Sequence, residues 1–392
     1  MIERTGLRAG HGRVPKVAIV SDPLVQRGGA ERVVEAIAEA FPSAPIFTIV
    51  YSVDRGPASL SARVRTSFLQ RMPGAQRRHR LFLPLFVSAI ESFDLSEFDL
   101  IVSSHHTVAK GLLRGADQVH VCYCHTPMRA LWERSAAELT TLPPALRLVA
   151  GAVLSRLRVW DVSSTSRVDQ FVANSRVTQN RIAKHYGRAS IVLNPPIDTE
   201  RFTPEAGGAP LESNGYYLVA SRAVPYKRVD IAVAAARSVG RRVVVVGGAH
   251  KNLPDDPAVI TLGVVDDSRL IGLMRGARAL LFPQYEDFGM TLLEMNACGR
   301  PVIAFGAGGA AEIVVDGKTG VLVPDQTVEA FVTGIRRAEE LHFNPLELRG
   351  HAESFSRSIF IERLRAIVLD AWNRRFESAG QTSNLVKHWP EG

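Results

Sequence analysis

Two glutamates eight positions apart, Glu286 and Glu294, mark the segment Glu286-Asp287-Phe288-Gly289-Met290-Thr291-Leu292-Leu293-Glu294. The first falls in a loop after an apolar strand, and the second in a helix that begins near Gly289. About five helical residues separate them by roughly 7 Å along the axis, so one carboxylate can face a sugar while the other reaches a ribose. The first-turn amides of that helix, Phe288, Gly289, Met290 and Thr291, have no partner within it and are free to bind an oxygen-rich ligand. Paired glutamates at this spacing are common as plain surface charges. The strand–loop–helix setting is what gives the pair weight.

A second chemical segment is Ser221-Arg222-Ala223-Val224-Pro225-Tyr226-Lys227-Arg228, at the end of another apolar run. A departing diphosphate develops negative charge, which an arginine and a lysine at a strand mouth can neutralise without a metal. Taken alone, the segment reads equally as a solvated basic loop. Gln26-Arg27-Gly28-Gly29-Ala30-Glu31 joins the first strand to its helix. Gly28 and Gly29 let the backbone approach a phosphate at a helix N-terminus, and Glu31 complements the helix dipole. Cys124-His125-Thr126-Pro127-Met128-Arg129 ends a buried strand, where His125 can hydrogen-bond a sugar hydroxyl or take a proton from an acceptor. A structural histidine is the competing reading. His105 and His106 end a further strand, and with Arg129, Trp132 and Glu133 they form a candidate acceptor set. Gly306-Ala307-Gly308-Gly309 reads as a tight turn beside the ligand. No His, Cys or Asp grouping has the spacing of a metal site, and Cys122 and Cys124, two apart on one strand, read as buried thiols.

The elements that must hold these residues alternate strand and helix. Apolar runs at Lys16–Val20, Phe47–Val50, Leu100–Ser103, Val119–Tyr123 and Gln170–Ala173 predict one parallel, doubly wound sheet. The stretch from Asn194-Pro195-Pro196 to Gly215 reads as a linker. A second series follows, with strands at Tyr216–Ser221, Arg242–Val246, Val259–Leu262, Ala279–Phe282 and Pro301–Phe305. A helical pattern over Ser358–Phe376 carries Leu364, Val368 and Trp372, and a loose tail is expected after Glu377. The expected fold is α/β: two Rossmann-like domains, 15–198 and 199–357, facing a cleft, with helix 358–376 crossing back to the first.

The chain has 392 residues and a net charge of +8, which favours anionic partners. Its longest apolar run, Leu81 to Ile90, holds Pro84 and is far short of the roughly 20 residues of a membrane span. The polar start, Met1 to Val14, lacks the apolar core of a secretory signal, so a cytoplasmic location is expected. Arg63, Arg65, Arg71, Arg77, Arg78 and Arg80 stand among Phe68, Leu69 and Met72, and Arg147, Arg156 and Arg158 line a second amphipathic stretch. Both patterns suit the inner face of an anionic membrane. A basic helix packed on its own core is the alternative. No nucleic-acid recognition motif accompanies these arginines.

The glutamate segment resembles the E-x7-E signature of glycosyltransferase family 4, and Ala297-Cys298-Gly299-Arg300-Pro301-Val302-Ile303-Ala304 is similar to that family's continuation of it. The resemblance spans about Lys16 to Trp372 and is poorest between Val53 and Phe98. It implies a GT-B fold and a retaining, metal-independent transferase that needs no cofactor and takes a nucleotide sugar as donor. It assigns donor-sugar hydroxyls to Glu286, ribose to Glu294, and the diphosphate to Arg222, Lys227 and the Gly28-Gly29 loop. His125 then lies near the donor sugar, and the base is read by backbone around Gly263, Val264 and Val265. Arg228 stands where many members carry glycine. The Pro-Tyr-Lys-Arg and Cys-His-Thr-Pro segments resemble those of transferases that move mannose from GDP-mannose to a lipid-linked saccharide. A UDP- or dTDP-sugar donor, a nucleotide-sugar epimerase and a non-catalytic binding module are the rival readings. A dehydrogenase needs a glycine fingerprint that Asp22 to Gly29 does not supply.

Overall fold

A computed structural model describes residues 14–133, 140, 143–204, 215–250 and 253–386. The expected N-terminal tail and most of the segment between Pro204 and Gly215 lie outside the described residues. The chain forms two compact units: residues up to Leu193 with those from Phe360 onward, and Asn194–Ile359.

The first unit is built on seven parallel strands: β1 (Val17–Ser21), β2 (Ile46–Thr48), β3 (Val64–Thr66), β4 (Leu100–His105), β5 (Val119–Cys124), β6 (Gln170–Ala173) and β7 (Ser190–Val192). Their order is β3-β2-β1-β4-β5-β6-β7, so the winding reverses between β1 and β4. Side-chain alternation fills two cores. Ile19, Val102 and Val121 point to one face, while Ala18, Val20 and Ile101 point to the other. Burial on both faces is why these strands read as unbroken apolar runs.

The second unit repeats the plan with β8 (Tyr216–Ala220), β9 (Val243–Val246), β10 (Val259–Gly263), β11 (Ala277–Phe282), β12 (Val302–Phe305) and β13 (Gly320–Val323), in the order β10-β9-β8-β11-β12-β13. Its switch point falls between β8 and β11. In sheets of this kind ligands bind beyond the carboxyl ends of the strands at such a reversal. Every loop singled out by its chemistry leaves the carboxyl end of a strand in one of the two sheets.

The helix Arg357–Val386 places Phe360, Leu364, Val368 and Trp372 in the core of the first unit, and Arg365 Nε caps the helix Gly29–Ala40 through the carbonyl of Ala40 at 2.9 Å. It continues through residues expected to be a loose tail, and no proline interrupts it as far as Val386. Three edge strands were not expected: β3, β7 and β13. Two have three residues each, with exposed or half-exposed positions, so they carry almost no periodic signal.

Candidate functional site

In the second unit, β8 ends at Ala220 and Pro225–Lys227 form one 3-10 turn. That turn points Lys227 Nζ at Glu286 Oε1 to form an ion pair, with the two side chains 11% and 21% exposed. Lys227 Nζ also lies 5.3 Å from the centre of the Tyr226 ring, whose hydroxyl accepts from Arg222 Nη2 at 3.4 Å. Arg222 is exposed and makes no ion pair among the described residues. Arg222, Lys227 and Glu286 are therefore gathered around Tyr226 at one edge of the sheet. Arg228 has φ 50°, in the left-handed region, which is the physical reason a glycine suits this position.

Glu286 is carried by the loop after β11, and that loop is fixed by the glycine run after β12. The amide of Gly309 donates to the carbonyl of Glu286 at 2.8 Å. A Cβ on Gly309 would lie 2.1 Å from the carbonyl oxygen of Phe288. The run is thus more than a turn at the edge, because its backbone lies directly under the glutamate loop. The helix starts one residue later than expected, at Met290, with Gly289 before it at φ 102° and ψ 56°. Phe288 is consequently outside the helix, and its side chain is buried. The amides left for a ligand belong to the turn opened by Gly289, Met290 and Thr291. Glu294 is 4% exposed, so it is enclosed where Glu286 is accessible. Val264 is 84% exposed in the loop beyond β10.

In the first unit, Asp22 organises the site, a role the sequence does not reveal. Its buried carboxylate accepts from the amides of His106 (2.5 Å), Thr107 (2.7 Å), Val108 (2.8 Å) and Ala109 (3.1 Å). Four donors on one carboxylate fix the loop after β4 and present half-buried His106, whose Nδ1 is 3.6 Å from Asp22. His105 corrects the expectation of an acceptor contact. β4 extends through it, so its side chain points inward, is fully buried and sits beside Lys110. Lys110 itself is ion-paired to Asp161 at 2.8 Å, both fully buried.

His125 shares a hydrogen bond between Nε2 and Ser104 Oγ at 2.9 Å, and packs edge-on against Tyr123 at 5.2 Å. Burial, reinforced by His106, pushes its pKa down to about 3, so the ring is neutral near pH 7. It can hydrogen-bond a hydroxyl but is a poor base. Arg129 is held by Glu133 at 3.1 Å, and Glu133 is also paired with Arg181 at 2.5 Å. Gly28 and Gly29 open the helix Gly29–Ala40, and the carboxylate of Glu31 folds back against Gly28. Among the described residues no three His, Cys, Asp or Glu side chains are gathered as metal ligands would be. Cys122 and Cys124 are buried free thiols, as expected.

Two doubly wound parallel sheets in one chain define an α/β protein of the GT-B type. The chain belongs to glycosyltransferase family 4: residues 27–201 match the model of Glycosyltransferase Family 4 and residues 205–355 that of Glycosyl transferases group 1. It is 31% identical over 244 residues to a D-inositol 3-phosphate glycosyltransferase of Mycobacteroides abscessus, covering 56% of this chain and 53% of that one. It is 28% identical over 258 residues to a GDP-mannose-dependent alpha-(1-6)-phosphatidylinositol monomannoside mannosyltransferase of Mycolicibacterium smegmatis, covering 53% and 66%. The chain thus spans between about half and two thirds of the length of these curated relatives. Among solved structures it resembles Anabaena HepE in complex with UDP-glucose, with a TM-score of 0.65 and 19% identity over 91% of this chain and all of that one. At that identity the likeness speaks for the fold alone.

Proposed function

We propose that this chain is a retaining, metal-independent glycosyltransferase that moves mannose from GDP-mannose to a lipid-linked saccharide acceptor in cell-envelope polysaccharide assembly. The observation that carries the reading is the Lys227–Glu286 ion pair, with exposed Arg222 beside it, at the switch point of the second sheet. Lys227 and Arg222 neutralise the diphosphate as the bond from the sugar C1 to the phosphate oxygen breaks and the oxygen keeps the electron pair. Glu286 accepts hydrogen bonds from sugar hydroxyls, and Glu294 meets the ribose. The acceptor hydroxyl bonds to C1 on the same face, and its proton passes to the departing phosphate. His125 and His106 hold hydroxyls in the first unit.

Mannose is favoured by the Pro-Tyr-Lys-Arg and Cys-His-Thr-Pro segments and by the mannosyltransferase relative. A membrane-borne acceptor is favoured by the helix Pro144–Ser163. It exposes Leu148 (82%) and Val159 (70%) beside Arg147 and Arg156. Among the described residues no helix is long and apolar enough to cross a membrane. The test is a thermal-shift panel of GDP-mannose, UDP-glucose, UDP-GlcNAc and dTDP-rhamnose. A rise in melting temperature with GDP-mannose alone is expected, and a rise with a different donor alone would replace the assigned sugar nucleotide.

A further inference from the structure

A basic pocket lies in the first unit, on the loops beside Gly28. It is an open depression of about 430 Å3 lined by Gln26, Arg27, Asp54, Arg55, Arg77 and His79. That size is within the roughly 300–1,000 Å3 of small-ligand sites. We infer that this pocket is a phosphate-binding subsite, and that the phosphate it takes belongs to the acceptor, carried on a sugar or on a lipid headgroup. The binding claim stands by itself; only the word acceptor rests on the transferase reading above.

Three guanidinium groups face one carboxylate here, and none of the three is ion-paired among the described residues. Arg27 Nε donates to the carbonyl of Gly56 at 3.2 Å and Arg55 Nη2 to that of Gln76 at 2.5 Å. These bonds anchor two of the arginines and leave further guanidinium donors of each for a ligand. Planar guanidinium forks match phosphate oxygens in pairs. Among the described residues the side chain of Arg77 makes no hydrogen bond or ion pair. His79 supplies the independent observation: its Nδ1 is shut from solvent and has no hydrogen-bond partner among the described residues. Burial, then the charges of Arg80, Arg55 and His106, hold its pKa below the usual histidine range.

The test uses the full chain saturated with GDP, so that phosphate cannot bind in place of the nucleotide. Inorganic phosphate is titrated calorimetrically, and flotation is measured with phosphatidylcholine vesicles with and without phosphatidic acid. The Arg55→Gln/Arg77→Gln variant is expected to bind at least one of these phosphate probes about tenfold more weakly or worse. The charge-matched Arg336→Gln/Arg363→Gln variant is expected to behave as wild type. Arg77→Gln alone, which removes no hydrogen bond or ion pair among the described residues, should shift binding in the same direction. Saturable binding of inorganic phosphate assigns a soluble phosphorylated acceptor. Loss confined to phosphatidic acid vesicles assigns a headgroup. Equal binding by wild type and the Arg55/Arg77 variant in both arms would overturn the subsite. Absence of GDP binding by the wild type would instead count against the GDP-mannose donor and leave the comparison of phosphate binding between wild type and variant intact.

Discussion

At the scale of the residue, the account turns on a glutamate that has to work beside a diphosphate. Unpaired, Glu286 would repel the donor; the Lys227 ammonium cancels that charge while keeping the carboxylate available for sugar hydroxyls. This predicts non-additive binding. Lys227→Ala should weaken donor affinity more than the double variant Lys227→Ala/Glu286→Ala, because the single change leaves an uncompensated carboxylate. Calorimetric dissociation constants for the three variants check this, and strictly additive losses would show that the pair is incidental. Arg222, Lys227 and Glu286 were legible in the sequence as candidates because each falls in a loop after an apolar run, in segments that resemble the family's motifs. Asp22 was not, since the amides it gathers belong to residues more than eighty positions later. Nor was the division between His105 and His106, which depends on where β4 stops.

At the scale of the element, two backbone features position the chemistry. Arg228 sits in the left-handed region at the start of the helix Val229–Ser238. Arg228→Gly should leave stability within about 1 kcal/mol of wild type, relief of strain offsetting added chain entropy, whereas Arg228→Val should cost about 2 kcal/mol. Urea unfolding reads the difference, and equal stability of the two variants would contradict the strain. Gly309 has a different task. Gly309→Ala must push the Phe288 carbonyl aside and with it the Glu286 loop. Turnover should therefore fall and donor-free unfolding should shift to lower denaturant as the backbone is displaced, and unaltered turnover would separate the glycine run from the site. The central strands were readable as apolar runs because both their faces are buried. The edge strands β3 and β7 were not, being three residues long and partly polar, and the exact start of the helix at Met290 depends on a Gly289 conformation that residue type alone does not fix.

At the scale of the whole molecule, the first unit's core encloses three neutral histidines. Burial holds His120 and His125 at about 3 and His105 well below its usual value. In the unfolded chain each titrates near 6.5, so above that pH both states are neutral and nothing is gained or lost. Below it the unfolded ensemble takes up protons that the native state refuses. Stability therefore falls as pH drops from about 6.5 toward 3, by up to about 1.4 kcal/mol per pH unit for each histidine. Denaturant midpoints at pH 7 and pH 5 should show the drop, and His120→Gln, if folded, should flatten the slope contributed by this trio by about a third. A pH-independent midpoint across that interval would mean these rings are protonated in the native state. The repeat of the doubly wound plan in two halves was legible from the alternation of elements and the prolines at Pro195 and Pro196. The reach of the last helix was not, because its far end has no periodic apolar face to announce it.

Release of nucleoside diphosphate from GDP-mannose, followed with excess chelator present, tests the central claim most directly. The account predicts turnover by the wild-type chain that chelator does not diminish, and loss of most of it in folded Lys227→Ala and Glu286→Ala. Wild-type rates in either variant, or activity abolished by the chelator, would contradict it.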